Sequence, residues 1–214
     1  MLPPSDFVAL LGISLVLTAG CLRVVHGRWG SAWWVKCLVL VIFAAMWLPA
    51  GPAQLPLVAY VRGVSSDLSV TMVALACLGA SRRLWGMPVF GSHERDAVMS
   101  SVAMAALFLY PMALGWGNWD AYRSGWGSVG MLGGLVFVVL AGWAKGLRLL
   151  PLLVALAVLA WATGLMESAN LWDYLLDPWL AIAALFQCAK ALVFKVLARL
   201  SAGAPRVGAS RAVS

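Results

Sequence analysis

The chain has 214 residues, of which 63% are apolar and only 11% charged, with a formal net charge of +7. An average soluble domain is about 45–50% apolar and about 25% charged, so an ordinary water-soluble fold is excluded and length counts membrane spans rather than domains. The positive balance does not point to nucleic acid, because the basic residues lie in short loops between apolar runs and not on a free basic surface or arm.

The first residues, Met1-Leu2-Pro3-Pro4-Ser5-Asp6, hold no Lys or Arg before Arg23 and so lack the basic n-region of a cleavable secretory signal. Thr18-Ala19-Gly20-Cys21 loosely resembles a lipoprotein processing box. Its first position is Thr, however, and cleavage there would strand Arg23, Arg28 and Lys36 outside, against the usual topology.

Apolar runs near the roughly 20 residues needed to cross a bilayer predict spans at Phe7–Val25, Val35–Leu48, Val64–Ala80, Ala97–Leu114, Ser128–Ala144, Leu147–Leu165 and Pro178–Leu197. The fold class expected is therefore all-α, a polytopic transmembrane helix bundle of about seven spans, with six to eight possible. The last span could begin at Leu171, but Pro178 suits a first helical position and Asp177 before it can cap the exposed N–H groups. Residues 1–200 form one membrane domain in this reading, and 201–214, small and polar with Arg206 and Arg211, a disordered basic cytoplasmic tail.

Orientation follows from the basic residues. Arg23, Arg28 and Lys36 fall in the first loop, Arg82, Arg83 and Arg95 in the third, Lys145 and Arg148 in the fifth, and Lys190, Lys195, Arg199, Arg206 and Arg211 at the end. Thirteen of the fifteen basic residues thus share one side, leaving Arg62 and Arg123 opposite, which predicts an outside N-terminus and a cytoplasmic C-terminus. Six of the eight acids, Asp6, Asp67, Asp120, Glu167, Asp173 and Asp177, take the outer side, while Glu94 and Asp96 stay inside. The twelve Trp lie near helix ends, where an apolar ring with one N–H suits the headgroup layer.

The outer loops carry the one polar constellation that suggests chemistry. Asp120, Glu167 and Asp173 are the candidate acids or bases, Arg62 and Arg123 candidate phosphate clamps, and Asp67, Trp172, Tyr174 and Asp177 further binding residues. The competing reading makes these hydrated loop residues, helix caps and an aromatic belt. In the fifth span Gly130 and Gly134 stand at G-x-x-x-G spacing, repeated by Gly142 and Gly146. Such a bare face reads first as a packing seam within the chain and otherwise as a surface for a membrane partner or second copy.

Pro49, Tyr60 and Arg62 recur as Pro111, Tyr122 and Arg123, which hints at duplicated hairpins of the kind found in transporters. His26 and His93 are the only histidines, and both lie in predicted inner loops, so no haem or metal centre and no cofactor is expected. Cys21, Cys37, Cys77 and Cys188 lie in or beside apolar runs and read as small hydrophobes without disulfides. Stretches such as Tyr60-Val61-Arg62-Gly63 and Asn170–Pro178 are similar to bacterial inner-membrane sequence, without a motif that names a family. The leading expectation is a non-enzymatic integral inner-membrane subunit or accessory protein of a bacterial envelope system, in contact with membrane lipids. The alternatives are an enzyme acting on a lipid-linked saccharide or phospholipid at the outer leaflet and, third, a small transporter.

Overall fold

The structure, a computed structural model, describes residues 3–29, 32–86 and 90–203. Each expected span corresponds to a helix. α1 (Pro4–Trp29) starts on a proline, whose missing N–H has no helical partner to lose. After α2 (Trp33–Ala45), a two-residue antiparallel ribbon pairs β1 (Pro49–Ala50) with β2 (Leu55–Pro56) and leads directly into α3 (Leu57–Ser65). α4 (Val70–Trp85) begins where Ser69 Oγ accepts the Met72 N–H at 3.1 Å and ends at Gly86, whose φ of +71° only glycine adopts easily. α5 (Ser92–Ala113) follows, then a 3-10 turn at Tyr122–Gly125. α6 (Val129–Ala144), capped by Ser128, reverses through Gly146 (φ +73°) into α7 (Leu149–Ala162). The short α8 (Leu171–Leu175) precedes α9 (Pro178–Gly203).

The boundaries depart from expectation at two places. The third span does not start at Val64: α3 ends at Ser65, Ser66 sits at φ +61°, and a new helix begins at Val70. Ser65-Ser66-Asp67 gives the backbone side-chain hydrogen-bond alternatives to a helix. Between α8 and α9, Leu176 is extended, so the last long helix starts at Pro178 and not at Leu171. Residues 204–214 of the expected tail lie outside the described residues, and α9 itself reaches Gly203.

Among the described residues three helices are long and apolar enough to cross a membrane, at Pro4–Val25, Ser92–Ala113 and Pro178–Leu200. α2, α6 and α7 are apolar but have 13, 16 and 14 residues, about 20–24 Å at 1.5 Å per residue, against a hydrocarbon core of about 30 Å.

Helix direction alternates along the chain. Asp6 at the start of α1 meets Arg62, and Asp177 before α9 bonds Ser69 before α4, so α1, α4 and α9 all begin at one end of the bundle. At the other end Glu94 in the first turn of α5 accepts the Leu149 N–H of α7 at 3.0 Å, and Val35 of α2 packs with Leu22 and Leu84. The six acids named above therefore gather at the first end, and the described loop arginines and lysines other than Arg62 and Arg123 at the second.

Two packing regions dominate the core, beside smaller clusters that include Val58 and Tyr174. In the first, α1 lies along α4 so closely that a Cβ on Gly12 would come within 3.1 Å of Val73. In the second, Val98, Val102, Ala106 and Leu109, at steps of four, four and three residues, make a stripe on α5 that packs against Leu149 and Leu153 of α7 and Leu180 and Ala184 of α9. The four cysteines are free thiols.

Candidate functional site

The acidic end is built around three hydrogen-bonded knots. In the first, Arg62 of α3 reaches three carboxylates: Asp6 Oδ1 at 2.7 Å, Asp67 Oδ1 at 2.7 Å and Glu167 Oε2 at 3.3 Å. The Arg62 and Asp67 side chains are only about one-fifth exposed, and a cavity of about 480 Å³ opens beside them. The Asp67 hydrogen bond pushes Arg62 further up from its ordinary value, with burial opposing it.

The second knot ties the 3-10 turn to the loop before α8. Tyr122 Oη donates to Asp173 Oδ2 at 2.9 Å, and Ser168 Oγ donates to the same oxygen. Asn170 is fully buried; its Nδ2 donates to Tyr122 O at 2.9 Å while its Oδ1 accepts the Trp172 N–H at 3.0 Å. Trp172 Nε1 donates to Ala121 O at 3.1 Å. The fit leaves no room at Gly125, where an added Cβ would lie 1.8 Å from Asn170 Oδ1. Burial first, and then the Asp173 bond, push the Tyr122 phenol up to about 12. Tyr174 is equally enclosed: its Oη accepts the Met166 N–H at 3.1 Å and donates to Ser168 O at 2.9 Å.

The third knot is Asp177. Its Oδ2 accepts from Ser69 Oγ at 2.6 Å and Ser69 N at 3.0 Å, and its Oδ1 accepts the Leu180 N–H at 2.8 Å. One buried carboxylate thus caps α9 and anchors the cap of α4.

The sequence candidates separate accordingly. Arg62, Asp67 and Glu167 come together, as do Asp173, Trp172 and Tyr174, and consecutive residues Glu167 and Ser168 link the two groups. Asp120 and Arg123 do not join them. Both are exposed; Asp120 Oδ1 accepts only the Tyr122 N–H, at 2.9 Å, and Arg123 makes no ion pair among the described residues. The proposed duplication fares poorly in detail. Tyr60 Oη bonds Ala50 O while Tyr122 bonds Asp173, and Arg62 is triply paired where Arg123 is not. Ser69, Gly125 and Ser168 matter here and were not singled out from sequence, where nothing local marks a serine or glycine as the partner of a residue tens of positions away.

A general acid or base needs a proton-transferring atom within reach of substrate. Here Asp173 Oδ2 and both oxygens of Asp177 are engaged by donors of the chain itself, and Asp6 and Asp67 by Arg62. Among the described residues no group of three or more His, Cys, Asp or Glu is arranged to hold a metal ion.

Below this polar layer lies an apolar groove of about 670 Å³ between α5 and α6, floored by Leu150, Leu153 and Val154 of α7. α5 and α6 each pack on α7 and hardly on each other. The glycine face of α6 is therefore not the seam expected within the chain: a Cβ at Gly130 or Gly134 would meet nothing within 4 Å. Gly142 does pack, 3.2 Å from Pro151 Cγ, and Gly146 serves the turn.

No family model matches the sequence, and no curated protein or solved structure matches it either. The functional reading therefore rests on the residues themselves.

Proposed function

We propose that the chain is a non-enzymatic integral inner-membrane subunit or accessory protein of a bacterial cell-envelope system. It crosses the membrane about seven times, with its N-terminus and acidic, aromatic face outside and its C-terminus in the cytoplasm. The observation that carries the reading is the engagement of the acids: those at the centre of the outer face hold loops and helix starts together rather than facing an open cleft. Further support comes from the gathering of basic residues at one end. Exposed Leu40, Val41, Leu107, Phe137, Ile182 and Phe186 within the helices suit contact with lipid better than water. The shorter helices require local thinning of the bilayer or snorkelling of flanking residues.

The test is extraction of the tagged chain from its host in a mild detergent, followed by native mass determination. A stoichiometric protein partner is the expected result. A chain that leaves the membrane alone, with cellular phenotypes abolished by replacing one exposed acid, would overturn it. Enzymatic reporters fused after Gly117 and at Ser214 should read outside and cytoplasm respectively.

The enzyme reading retains one observation in its favour, the pair of exposed charges Asp120 and Arg123 beside a lipid-sized groove. Asp120→Ala and Arg123→Ala variants with unchanged cellular function and abundance would remove it.

A further inference from the structure

We infer that the α5–α6 groove holds an acyl chain of a zwitterionic phospholipid with a phosphoethanolamine headgroup, its ammonium on Asp120 and its phosphate on Arg123. The inference rests on the membrane placement proposed above and goes beyond it in naming a ligand.

The groove, about 670 Å³ in volume, is lined almost wholly by apolar atoms, the surface that a hydrocarbon chain fits. Its walls are Val98, Val102 and Ala105 on α5 and the bare Gly130 and Gly134 on α6. The four hydroxyls lining it have partners in the chain: Ser101 Oγ donates to Ala97 O at 2.9 Å, Ser124 Oγ to Ala121 O at 2.7 Å and Thr71 Oγ1 to Tyr174 O at 3.5 Å, while Ser128 Oγ accepts the Met131 N–H at 3.2 Å. A polar solute would find few donors there, and a lateral opening in a bilayer fills with hydrocarbon.

The mouth supplies the headgroup selectivity. Trp119 and Trp172 line the groove at its polar end, with their rings 5.8 Å and 6.5 Å from Phe108. Trp119 is followed by exposed Asp120, and Ser124, which also lines the groove, is preceded by exposed Arg123. The other outer arginine, Arg62, is neutralised by three carboxylates, so Arg123 is the outer cation left for a phosphate. Asp120 Oδ2 remains for a donor, and a primary ammonium has N–H groups to give where a quaternary one has none.

The experiment uses the full chain in nanodiscs carrying phosphatidylethanolamine with a diazirine on its acyl chain, with unlabelled phosphatidylethanolamine or phosphatidylglycerol as competitor. After photolysis, labels should concentrate on groove residues such as Met104, Phe108 and Met131, and only phosphatidylethanolamine should compete. Gly134→Leu fills open space and should cut groove labelling about tenfold, the equivalent of ~1.4 kcal/mol. Asp120→Asn and Arg123→Gln, both at exposed positions, should erase the preference between competitors. Labels spread evenly over all lipid-facing helices, or unaffected by Gly134→Leu, overturn the groove as a lipid site while leaving membrane placement intact. Equal competition by both lipids overturns the headgroup assignment. A protein helix cross-linked in the groove instead overturns the proposal in favour of a docked partner, and failure of the chain to enter nanodiscs overturns the membrane reading with it.

Discussion

The two ends of the bundle are organised on different principles. At the acidic end, segments far apart in sequence are locked by buried or half-buried polar contacts: Ser69 to Asp177, Asn170 to Tyr122, Arg62 to Asp6. Among the described residues of the basic end the links between helices are few, chiefly Glu94 to the Leu149 N–H and Gln187 to Asp96, and most of the described charge faces outward. The difference teaches that a dense patch of acids can be scaffold. Carboxylates gather where loops need acceptors for N–H and O–H groups, whereas in the proposed orientation cationic side chains are satisfied by headgroups and water and need no partners within the chain.

The comparison breaks most easily at Gly125. Gly125→Ala drives a methyl into Asn170 and Trp172, and we expect a loss of ~3 kcal/mol or more, the upper range of overpacking, read by thermal unfolding in a mild detergent. Asp177→Ala comes next. It removes the α9 cap and leaves the buried Ser69 N–H and hydroxyl without an acceptor, at an expected ~2 kcal/mol. If either variant melts with the parent, the acidic end is not the structural lock described.

Arg62→Met sharpens the same contrast. Three carboxylates would face one another without their cation, but the site is partly exposed, so a loss of ~1 kcal/mol is expected. Because screening weakens the ion pairs of the parent, the gap between parent and variant should narrow in high salt. A gap independent of salt would mean that packing of the arginine stem matters more than its charge.

How much of this was legible in the sequence depends on the range of the signal. That the chain is mostly helical, with a helix over each long apolar run, follows from those runs, and Asp177-Pro178 and Gly86 mark helix ends through chemistry contained in two or three residues. The ribbon at 49–56 and α3 were not legible, because strands of two residues and a helix of nine are too short to stand out in the loop between two apolar runs. The pairings of Gly125 with Asn170 and of Ser69 with Asp177 were not legible either, since no local pattern says which loops meet. The α6 glycines are the clearest case. Gly130/Gly134 and Gly142/Gly146 have the same spacing, yet one pair lines a groove, one glycine packs on Pro151 and one makes a turn, because the neighbour decides what a bare backbone is for.

Tyr122→Phe should cost somewhat less than the arginine change, ~0.5–1 kcal/mol for one hydrogen bond, and it carries a pH signature. The phenol is held up to about 12 in the folded chain against about 10 when unfolded. The folded state therefore keeps its proton longer, and this stabilisation is complete below pH 10 and disappears as pH rises through 12. The parent should lose stability across that window more steeply than Tyr122→Phe; parallel curves would mean that the phenol is neither enclosed nor held by Asp173 as described.

The smallest effect is expected at the other end and completes the contrast. Lys195 and Arg199 lie on an exposed stretch of α9 that no other helix covers. Removing both charges, as Lys195→Gln with Arg199→Gln, takes away no interhelical contact, so thermal stability should stay within ~0.5 kcal/mol of the parent. What the change should weaken is the charge bias proposed to hold the C-terminus in the cytoplasm, so the reporter at Ser214 is the sensitive readout. A loss of stability as large as that of Arg62→Met would mean that the basic end is knitted together as the acidic end is.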